Sequence, residues 1–175
     1  MKRFCLKGLE KDLKKGLKFL FFFFLFSALA CVVFFFTPLN FETQKIVAET
    51  SAFLLTSTGI NTTYIESNPP HLIGEGFNAE INEVCSGGIE IIVLFGIIFA
   101  SFEKTWKERM NGFLIGLILL IALNFFRIVA TLHFLSEFMH SFLFRITLII
   151  AIVGYYWYWF YEPTVFKRVF SNNQS

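Results

Sequence analysis

Three side chains that together can perform acyl transfer occur in the second half of the chain: Cys85, Arg127 and His140. A cysteine attacks as its thiolate, and a nearby cation favours that form. An arginine could stabilise the thiolate or the oxyanion of a tetrahedral intermediate. A histidine could act as general base toward the thiol and as general acid toward a leaving amine. The set therefore indicates cleavage of a peptide bond through an acyl-enzyme, provided that the fold brings the three groups together.

The surroundings of Cys85 are unusual, because the residue lies between an acidic segment and an apolar one in EINEVCSGGIEIIVLFG, residues 80–96. The amides of Ser86, Gly87 and Gly88, placed at the start of a helix, would favour negative charge on the sulfur or on an oxyanion. A cysteine beside small residues more often serves packing. Its functional interpretation therefore depends on the other two groups.

The composition excludes an ordinary soluble domain. Of the 175 residues, 55% are hydrophobic and 26 are phenylalanine. Charged residues make up 16% of the chain, well below the roughly 25% typical of soluble domains. A chain of this length has too little interior to bury so much apolar surface. The bilayer must therefore act as its solvent.

Four apolar runs approach the roughly 20 residues that a membrane-crossing helix needs. They cover residues 17–36, 85–102, 112–135 and 142–161. The sequence therefore predicts one all-α integral membrane domain, a bundle of about four transmembrane helices, over residues 1–175. A signal peptide is the competing interpretation of the first run, but the run continues past Cys31, which favours a retained helix.

The basic residues predict the orientation of these spans, since short Lys- and Arg-rich segments stay in the cytoplasm. Residues 1–16, 103–111 and 162–175 are accordingly predicted to be cytoplasmic, and residues 37–84 and 136–141 extracytoplasmic. The segment 37–84 predicts an amphipathic helix near 42–58, a turn at 68–70 and a short strand within 76–84. We expect this small helix and strand segment to cover the outer end of the bundle.

Several polar residues fall inside the predicted spans, in their outer half. An arginine at mid-helix costs about 2.5–3.5 kcal/mol on insertion scales and usually has a function. Asn124 precedes Arg127 by three residues and shares its helical face. Glu90, five residues after Cys85, is the predicted carboxylate partner of either Arg127 or Arg145. These side chains are expected to support the site.

The cysteines do not predict a disulfide or a metal site. Cys5 falls in the cytoplasmic segment, Cys31 within the first span and Cys85 at the outer face, too far apart to pair. No cysteine and histidine cluster has zinc-ligand spacing. We therefore predict no metal and no cofactor.

Three motifs, CSGG at 85–88, NFFRIV at 124–129 and MHSFLFR at 139–145, resemble the exosortase/archaeosortase family of membrane cysteine transpeptidases. The resemblance covers about residues 80–154 and is closest in size to short, exosortase H-like members. It implies that Cys85 is the nucleophile, Arg127 the catalytic arginine and His140 the third member. Some archaeal relatives have an arginine in place of this histidine, so Arg145 stays an alternative.

The resemblance also implies the partners. The substrates would be secreted proteins that end in a short motif, a transmembrane helix and a basic cluster. The enzyme, in the plasma (inner) membrane of a prokaryote, would cut at the extracytoplasmic face and join the new carboxyl end to a cell-surface lipid or glycan amine or hydroxyl. No nucleic acid is expected as a partner. Hydrolysis stays open, because it shares the acyl-enzyme.

A non-enzymatic membrane subunit or scaffold is the alternative function. In that case the charges of Arg127, Arg145 and Glu90 would dock a partner within the membrane or pack the bundle, and Cys85 would be dispensable.

Overall fold

The fold is taken from a computed structural model, which describes residues 2–134 and 144–161. These residues form five helices and three strands. In chain order the elements are α1 Lys2–Phe36, α2 Leu39–Ser57, β1 Thr62–Ile65, β2 His71–Gly74, β3 Phe77–Glu80, α3 Gly88–Phe99, α4 Trp106–Phe134 and α5 Phe144–Tyr161. The structure is thus mostly helical, with a small sheet between α2 and α3.

Two helical segments are long and apolar enough to cross a membrane, Asp12–Phe36 in α1 and Trp106–Leu132 in α4. Gly88–Phe99 and Ile146–Tyr161 are shorter apolar helices. The described helices therefore support two spans by length and composition, and the four-span bundle stays a prediction. The predicted cytoplasmic tail 162–175 and the outer turn 136–141 lie outside the described residues.

The second apolar run is longer than the helix that it forms. Residues 85–102 were expected to be helical, whereas α3 covers Gly88–Phe99, 12 residues, or about 18 Å at 1.5 Å per residue. The left-handed backbone of Gly87, with φ of 78°, stops helical geometry from extending back to Cys85. The cysteine consequently lies in a turn and not on the helix.

The helix of the third predicted span, α4, begins earlier than the apolar run 112–135 indicates. We predicted a cytoplasmic loop at 103–111, but α4 starts at Trp106. Thr105 and Glu108 cap it reciprocally: the Thr105 backbone N–H donates to Glu108 Oε2 at 2.8 Å, and the Glu108 N–H donates to Thr105 Oγ1 at 3.4 Å. This is a capping box, and its TWKE sequence marks the helix start.

The basic residue Arg109 lies in this first part of α4 and is buried, with 9% of its surface exposed. Its Nη1 donates to the carbonyl of Phe99 at 3.1 Å, and its Nε donates to that of Lys104 at 3.0 Å. Carbonyls at a helix C-terminus have no partner within the helix. Arg109 therefore caps the C-terminal end of α3.

The segment between α1 and α3 folds as a small outer subdomain, which we define as α2 with strands β1, β2 and β3. α2 ends in a Schellman motif, in which Gly59 has φ of 92° and the N–H of Ile60 donates to the carbonyl of Leu55 at 3.0 Å. The strands form an antiparallel sheet in the order β1-β2-β3. A helix and one strand were expected in this segment, and the structure has the helix and three strands, since β1 and β2 also belong to the sheet.

Two buried clusters join these elements. The outer cluster connects the subdomain to α4 through Val47, Ala48, Ala52, Leu72, Ile81, Cys85 and Ile128. The inner cluster packs α3, α4 and α5 together through Leu94, Ile98, Phe99, Leu120, Leu148, Ile152 and Trp159. The turn that carries Cys85 therefore lies where the subdomain meets the helices.

An ion pair at the surface also ties the subdomain together. Lys45 Nζ on α2 donates to Glu66 Oε1, just after β1, at 2.8 Å. The hydrogen bond and the negative charge of Glu66 raise the pKa of Lys45. The pair is exposed, so it contributes little to stability.

Helix α1 packs along α3 and leaves several of its phenylalanines exposed; Phe21 and Phe24 are 63% and 61% exposed, as expected for side chains that face lipid. The two helices cross closely at Gly96. A Cβ atom at Gly96 would meet Ser27 Oγ and lie 3.2 Å from the backbone oxygen of Phe23. This crossing therefore requires a residue without a side chain.

We expect Gly96→Ala to destabilise the protein by about 1–3 kcal/mol, the usual cost of overpacking, because the rigid backbone of α1 cannot move aside cheaply. The matched control is Gly154→Ala on α5, where nothing lies within 4 Å of an added Cβ, and helix propensity should make it neutral or slightly stabilising. Thermal unfolding in detergent, followed by size-exclusion chromatography, measures both. Equal midpoints for the two variants would contradict a close crossing.

Candidate active site

The turn before α3 is built on Asn82. Its Oδ1 accepts hydrogen bonds from the backbone N–H groups of Val84 at 3.1 Å and Cys85 at 3.2 Å. Its carbonyl accepts the N–H of Ser86 at 2.9 Å. Asparagine commonly organises turns in this way. Sequence analysis missed Asn82, although an asparagine three residues before the cysteine is a recognisable turn signal.

Gly87 is the last residue of the turn and the N-cap of α3, which begins at Gly88. At its φ of 78° a side chain would be strained, and a Cβ atom there would lie 3.2 Å from both Cγ and Nδ2 of Asn124. Glycine at this position therefore lets α4 approach the cysteine turn. The sequence suggested a role for the Gly87 amide, which stays a prediction; what the structure shows is that Gly87 leaves room for the Asn124 side chain.

Two side chains of α4 bind the backbone of this turn. Asn124 Nδ2 donates to the carbonyl of Cys85 at 3.1 Å. Arg127 Nη2 donates to the carbonyls of Val84 at 3.2 Å and Cys85 at 3.1 Å. Asn124 and Arg127 are 4% and 6% exposed. The polar face expected on this helix therefore points inward and lies against the cysteine segment.

Glu90, in the first turn of α3, pairs with this arginine. Its Oε1 lies 3.8 Å from Arg127 Nη1, and the exposed fractions of the two side chains are 16% and 7%. The sequence left open whether Glu90 pairs with Arg127 or Arg145, and the structure places it beside Arg127. Two oxygens here, Glu90 Oε2 and Asn124 Oδ1, accept no hydrogen bond from any described residue.

Cys85 itself is buried, with 8% of its surface exposed. It belongs to the outer cluster, where Val47 and Ala48 of α2 and Ile128 of α4 also lie. The sequence placed it at the border of a span, between polar and apolar segments. In the structure the outer subdomain packs against Cys85, so little of the residue is accessible from the surface.

The third predicted group lies beyond what the structure describes. His140 is outside the described residues, and of Arg145, in the first turn of α5, the backbone alone is described. The structure thus brings Cys85, Asn124, Arg127 and Glu90 together. The catalytic roles of all these residues stay predictions.

A cavity of about 240 Å³ adjoins the turn. Ser86 and Gly87, which directly follow the cysteine, line it together with Glu90 and Asn124. Ile91 of α3 and residues of helices α2, α4 and α5 supply its remaining walls, which are mainly apolar. Within the described residues, no three His, Cys, Asp or Glu side chains are grouped to hold a metal ion. The polar side chains that line the cavity are those of Thr43, Ser86, Glu90 and Asn124.

This geometry defines a class of protein, namely a helical membrane protein in which a buried arginine holds a turn that contains a cysteine. The chain matches the family model described as transmembrane exosortase (Exosortase_EpsH) over residues 8–158. It belongs to that family, which confirms the resemblance seen in the three motifs. The family indicates a membrane transpeptidase-like role. Neither the comparison with curated proteins nor that with solved structures gives a match.

The buried pair of Arg127 and Glu90 leads to a stability prediction. Arg127→Gln should destabilise the protein by about 3 kcal/mol or more, because it leaves a carboxylate buried without its cation. The double variant with Glu90→Gln should recover part of this loss, with a coupling free energy of about 1–3 kcal/mol. Chemical unfolding in detergent measures the four proteins of this cycle.

The exposed Lys45 and Glu66 pair provides the control, since Lys45→Gln should change the unfolding free energy little. Additive losses in the Arg127 and Glu90 cycle would show that the two buried charges do not interact.

Proposed function

We propose that the protein is a cysteine transpeptidase of the membrane that cleaves C-terminal sorting signals of secreted proteins and transfers the new carboxyl end to a cell-surface acceptor. The observation that carries the proposal is the double hydrogen bond of Arg127 to the backbone carbonyls of Val84 and Cys85. These bonds hold the guanidinium of Arg127 against the backbone of Cys85, the predicted nucleophile, and of the residue before it. The match to the transmembrane exosortase family independently supports a membrane transpeptidase-like role.

In the first half of the proposed reaction, Cys85 Sγ loses its proton to His140 and attacks the carbonyl carbon of the scissile peptide bond. A C–S bond forms and the carbonyl oxygen gains negative charge. The positive charge of Arg127 favours both the thiolate and this oxyanion. The C–N bond then breaks, and the leaving amine takes the proton from His140. The acyl group remains on the sulfur as a thioester.

The bonds made by Arg127 suit this role, because they fix the guanidinium before substrate binds. A preorganised charge needs no rearrangement as the oxyanion develops. Its ion pair with Glu90, at 3.8 Å, offsets the cost of holding a cation in an apolar region. Asn124, bonded to the Cys85 carbonyl, would keep the nucleophile in position during the reaction.

The substrate would approach from the extracytoplasmic face, with its own transmembrane helix beside the protein. The exposed apolar surface of α1 and the outer subdomain would then flank the recognition motif. A four-span arrangement with the N-terminus in the cytoplasm would place Cys85 at that face. Sorting-signal substrates are consistent with the family.

A non-enzymatic scaffold is the second candidate function, and one observation favours it: Cys85 is packed in an apolar cluster. However, the charges of Arg127 and Glu90 are directed to each other and to the chain's own backbone. Intramembrane charges that dock a partner would instead be expected at the surface of the bundle. Loss of processing in a cysteine variant separates the two functions.

We expect Cys85→Ala to lower the processing of a co-expressed substrate by at least about a thousandfold, since no other group replaces the nucleophile. Cys31→Ala, the control within α1, should process normally. Substrate mobility on immunoblots measures cleavage, and the amount of each variant in membranes shows whether it folds. Full processing by Cys85→Ala would exclude the proposed mechanism.

The identity of the third residue can be tested by comparing His140→Gln with Arg145→Gln. If His140 is the base, its variant should lose about 10²- to 10⁴-fold in rate, and Arg145→Gln should retain most of the activity. The rate of thioester formation on Cys85, measured by mass spectrometry of the trapped acyl-enzyme, gives the comparison. The opposite order of effects would assign the role to Arg145.

A further inference from the structure

A cleft of about 370 Å³ opens at the end of α3 that lies away from the cysteine turn. Its walls come from residues 15–19 of α1, from the turn 100–103 and from residues 156–160 of α5. Its volume falls within the roughly 300–1,000 Å³ that is usual for ligand pockets. We call this space the basic cleft, because cations surround it.

The basic cleft lies at the level where the two long apolar segments begin, at Asp12 in α1 and at Trp106 in α4. The 3.5 Å contact of Lys15 Nζ with Glu103 Oε1 brings these two starting points together. The end of α5, residues 155–161, reads YYWYWFY, and such aromatic residues are typical of a membrane–water interface. This end of the protein therefore lies at headgroup level, which in the predicted orientation is that of the cytoplasmic leaflet.

Four cationic side chains surround the basic cleft, and they are those of Lys15, Lys18, Lys104 and Arg109. Lys18 Nζ lies 5.3 Å from the centre of the Phe102 ring, and Arg109 Cζ lies 4.8 Å from the same centre. Lys104 Nζ lies 5.3 Å from the centre of the Phe160 ring. Both rings line the cleft. Aromatic faces attract these cations without neutralising them, so positive charge converges on one space.

Carboxylates do not balance this charge. Glu103 lines the cleft, but it pairs with Lys15. Among the described residues, neither Lys18 nor Lys104 forms an ion pair. The other carboxylates of this end are those of Glu10, which pairs with Lys14, of Glu108, which caps α4, and of Asp12. Four cations thus face Glu103 and at most Asp12, and positive charge remains in excess.

Gly16 keeps the cleft open on the side of α1. It lines the cleft, and among the described residues a Cβ atom at this position would meet nothing within 4 Å. Glycine is disfavoured inside a helix, and no close crossing with a described helix requires it here. The space beside Gly16 is therefore available to a ligand.

The charge and the walls of the cleft together match a phospholipid headgroup. A phosphate accepts charged hydrogen bonds from ammonium groups, and Phe19 and Phe102 supply apolar surface beside these groups. Phe102 is 42% exposed, so acyl chains could continue from the cleft along the apolar surface of α1. A choline headgroup would bring a cation of its own, which the lysines would repel.

We infer that the basic cleft binds the phosphate of an anionic phospholipid of the cytoplasmic leaflet, with Lys18 and Lys104 as its main cationic partners. Basic pockets between membrane helices on the cytoplasmic side are suited to such headgroups. The inference does not depend on the proposed reaction, because the cleft and Cys85 lie at opposite ends of α3.

Native mass spectrometry of the full-length protein in detergent can measure the binding directly. The probes are phosphatidylglycerol and phosphatidylcholine with identical acyl chains. We expect the apparent Kd of phosphatidylglycerol to be lower by about tenfold or more, since two unpaired lysines each contribute about fivefold. Equal affinities for the two lipids would overturn the inference.

Three charge variants locate the site. Lys18→Gln and Lys104→Gln should each weaken phosphatidylglycerol binding about fivefold and leave phosphatidylcholine binding unchanged. Lys107→Gln is the control, because it removes an exposed cation of the same end that does not line the cleft. Equal losses in all three variants would indicate attraction by the general surface charge and would overturn the site.

A second pair of variants tests the cleft without changing any charge. Gly16→Trp fills the open space and should weaken phosphatidylglycerol binding, whereas Gly16→Ala adds a single methyl group there and should bind normally. Size-exclusion chromatography and the unfolding midpoint show whether each variant is folded. Undiminished binding in folded Gly16→Trp would contradict a bound lipid in the cleft.

A soluble phosphate could satisfy the same lysines, so sn-glycerol 3-phosphate is the competing ligand. We expect it to displace phosphatidylglycerol poorly, because it lacks acyl chains to bury against the apolar walls. Displacement by glycerol phosphate at concentrations similar to those of the lipid would show that the cleft recognises a free phosphate, and would overturn its assignment to a lipid.

Discussion

The hydrogen bonds from Arg127 to the carbonyls of Val84 and Cys85 are the interaction on which the arrangement of the helices depends. They attach the start of α3 to α4 and give two backbone oxygens a partner where the chain is not helical. Backbone that is neither helical nor in a sheet is tolerated at membrane depth only where protein surrounds and satisfies it. Arg127 therefore makes an irregular cysteine turn compatible with an apolar environment.

Helix α4 holds α3 at both of its ends. Arg109, bonded to the carbonyl of Phe99, and Arg127 are separated by 18 positions, which is about five turns of helix. The two arginines consequently lie on the same face of α4. The two arginines thus bind α4 to the C-terminal end of α3 and to the cysteine turn that precedes it, and they fix this turn relative to the inner cluster.

Some of this arrangement could be predicted from the sequence. The spacing of Asn124 and Arg127 placed both on one face, and a buried arginine in an apolar run required internal partners. The outer helix was expected at 42–58 and lies at Leu39–Ser57, because its apolar periodicity is local. Glu90 was identified as an arginine partner, but the choice between two arginines depends on helix packing and could not be made from spacing.

Other features depend on contacts between distant parts of the chain. Arg109 looked like an ordinary cytoplasmic charge because its partners, Phe99 and Lys104, are backbone carbonyls, which leave no mark in the sequence. Strands β1 and β2, with the sequences TTYI and HLIG, lack the strict apolar and polar alternation that FNAE of β3 shows, so the sequence pattern did not indicate them. The cavity next to Glu90 arises from four helices and could not be inferred from any one of them.

The shortness of α3 has a consequence for the surrounding lipid. Its length of about 18 Å falls well below the roughly 30 Å of a hydrocarbon layer. Such a mismatch is accommodated by local thinning or by protein that replaces lipid. In the proposed orientation, the turn with Cys85 would lie below the level of the headgroups, where bulk water is scarce. A thioester formed there would be partly shielded from hydrolysis, and an acceptor that diffuses in the bilayer plane would reach it more readily than water would.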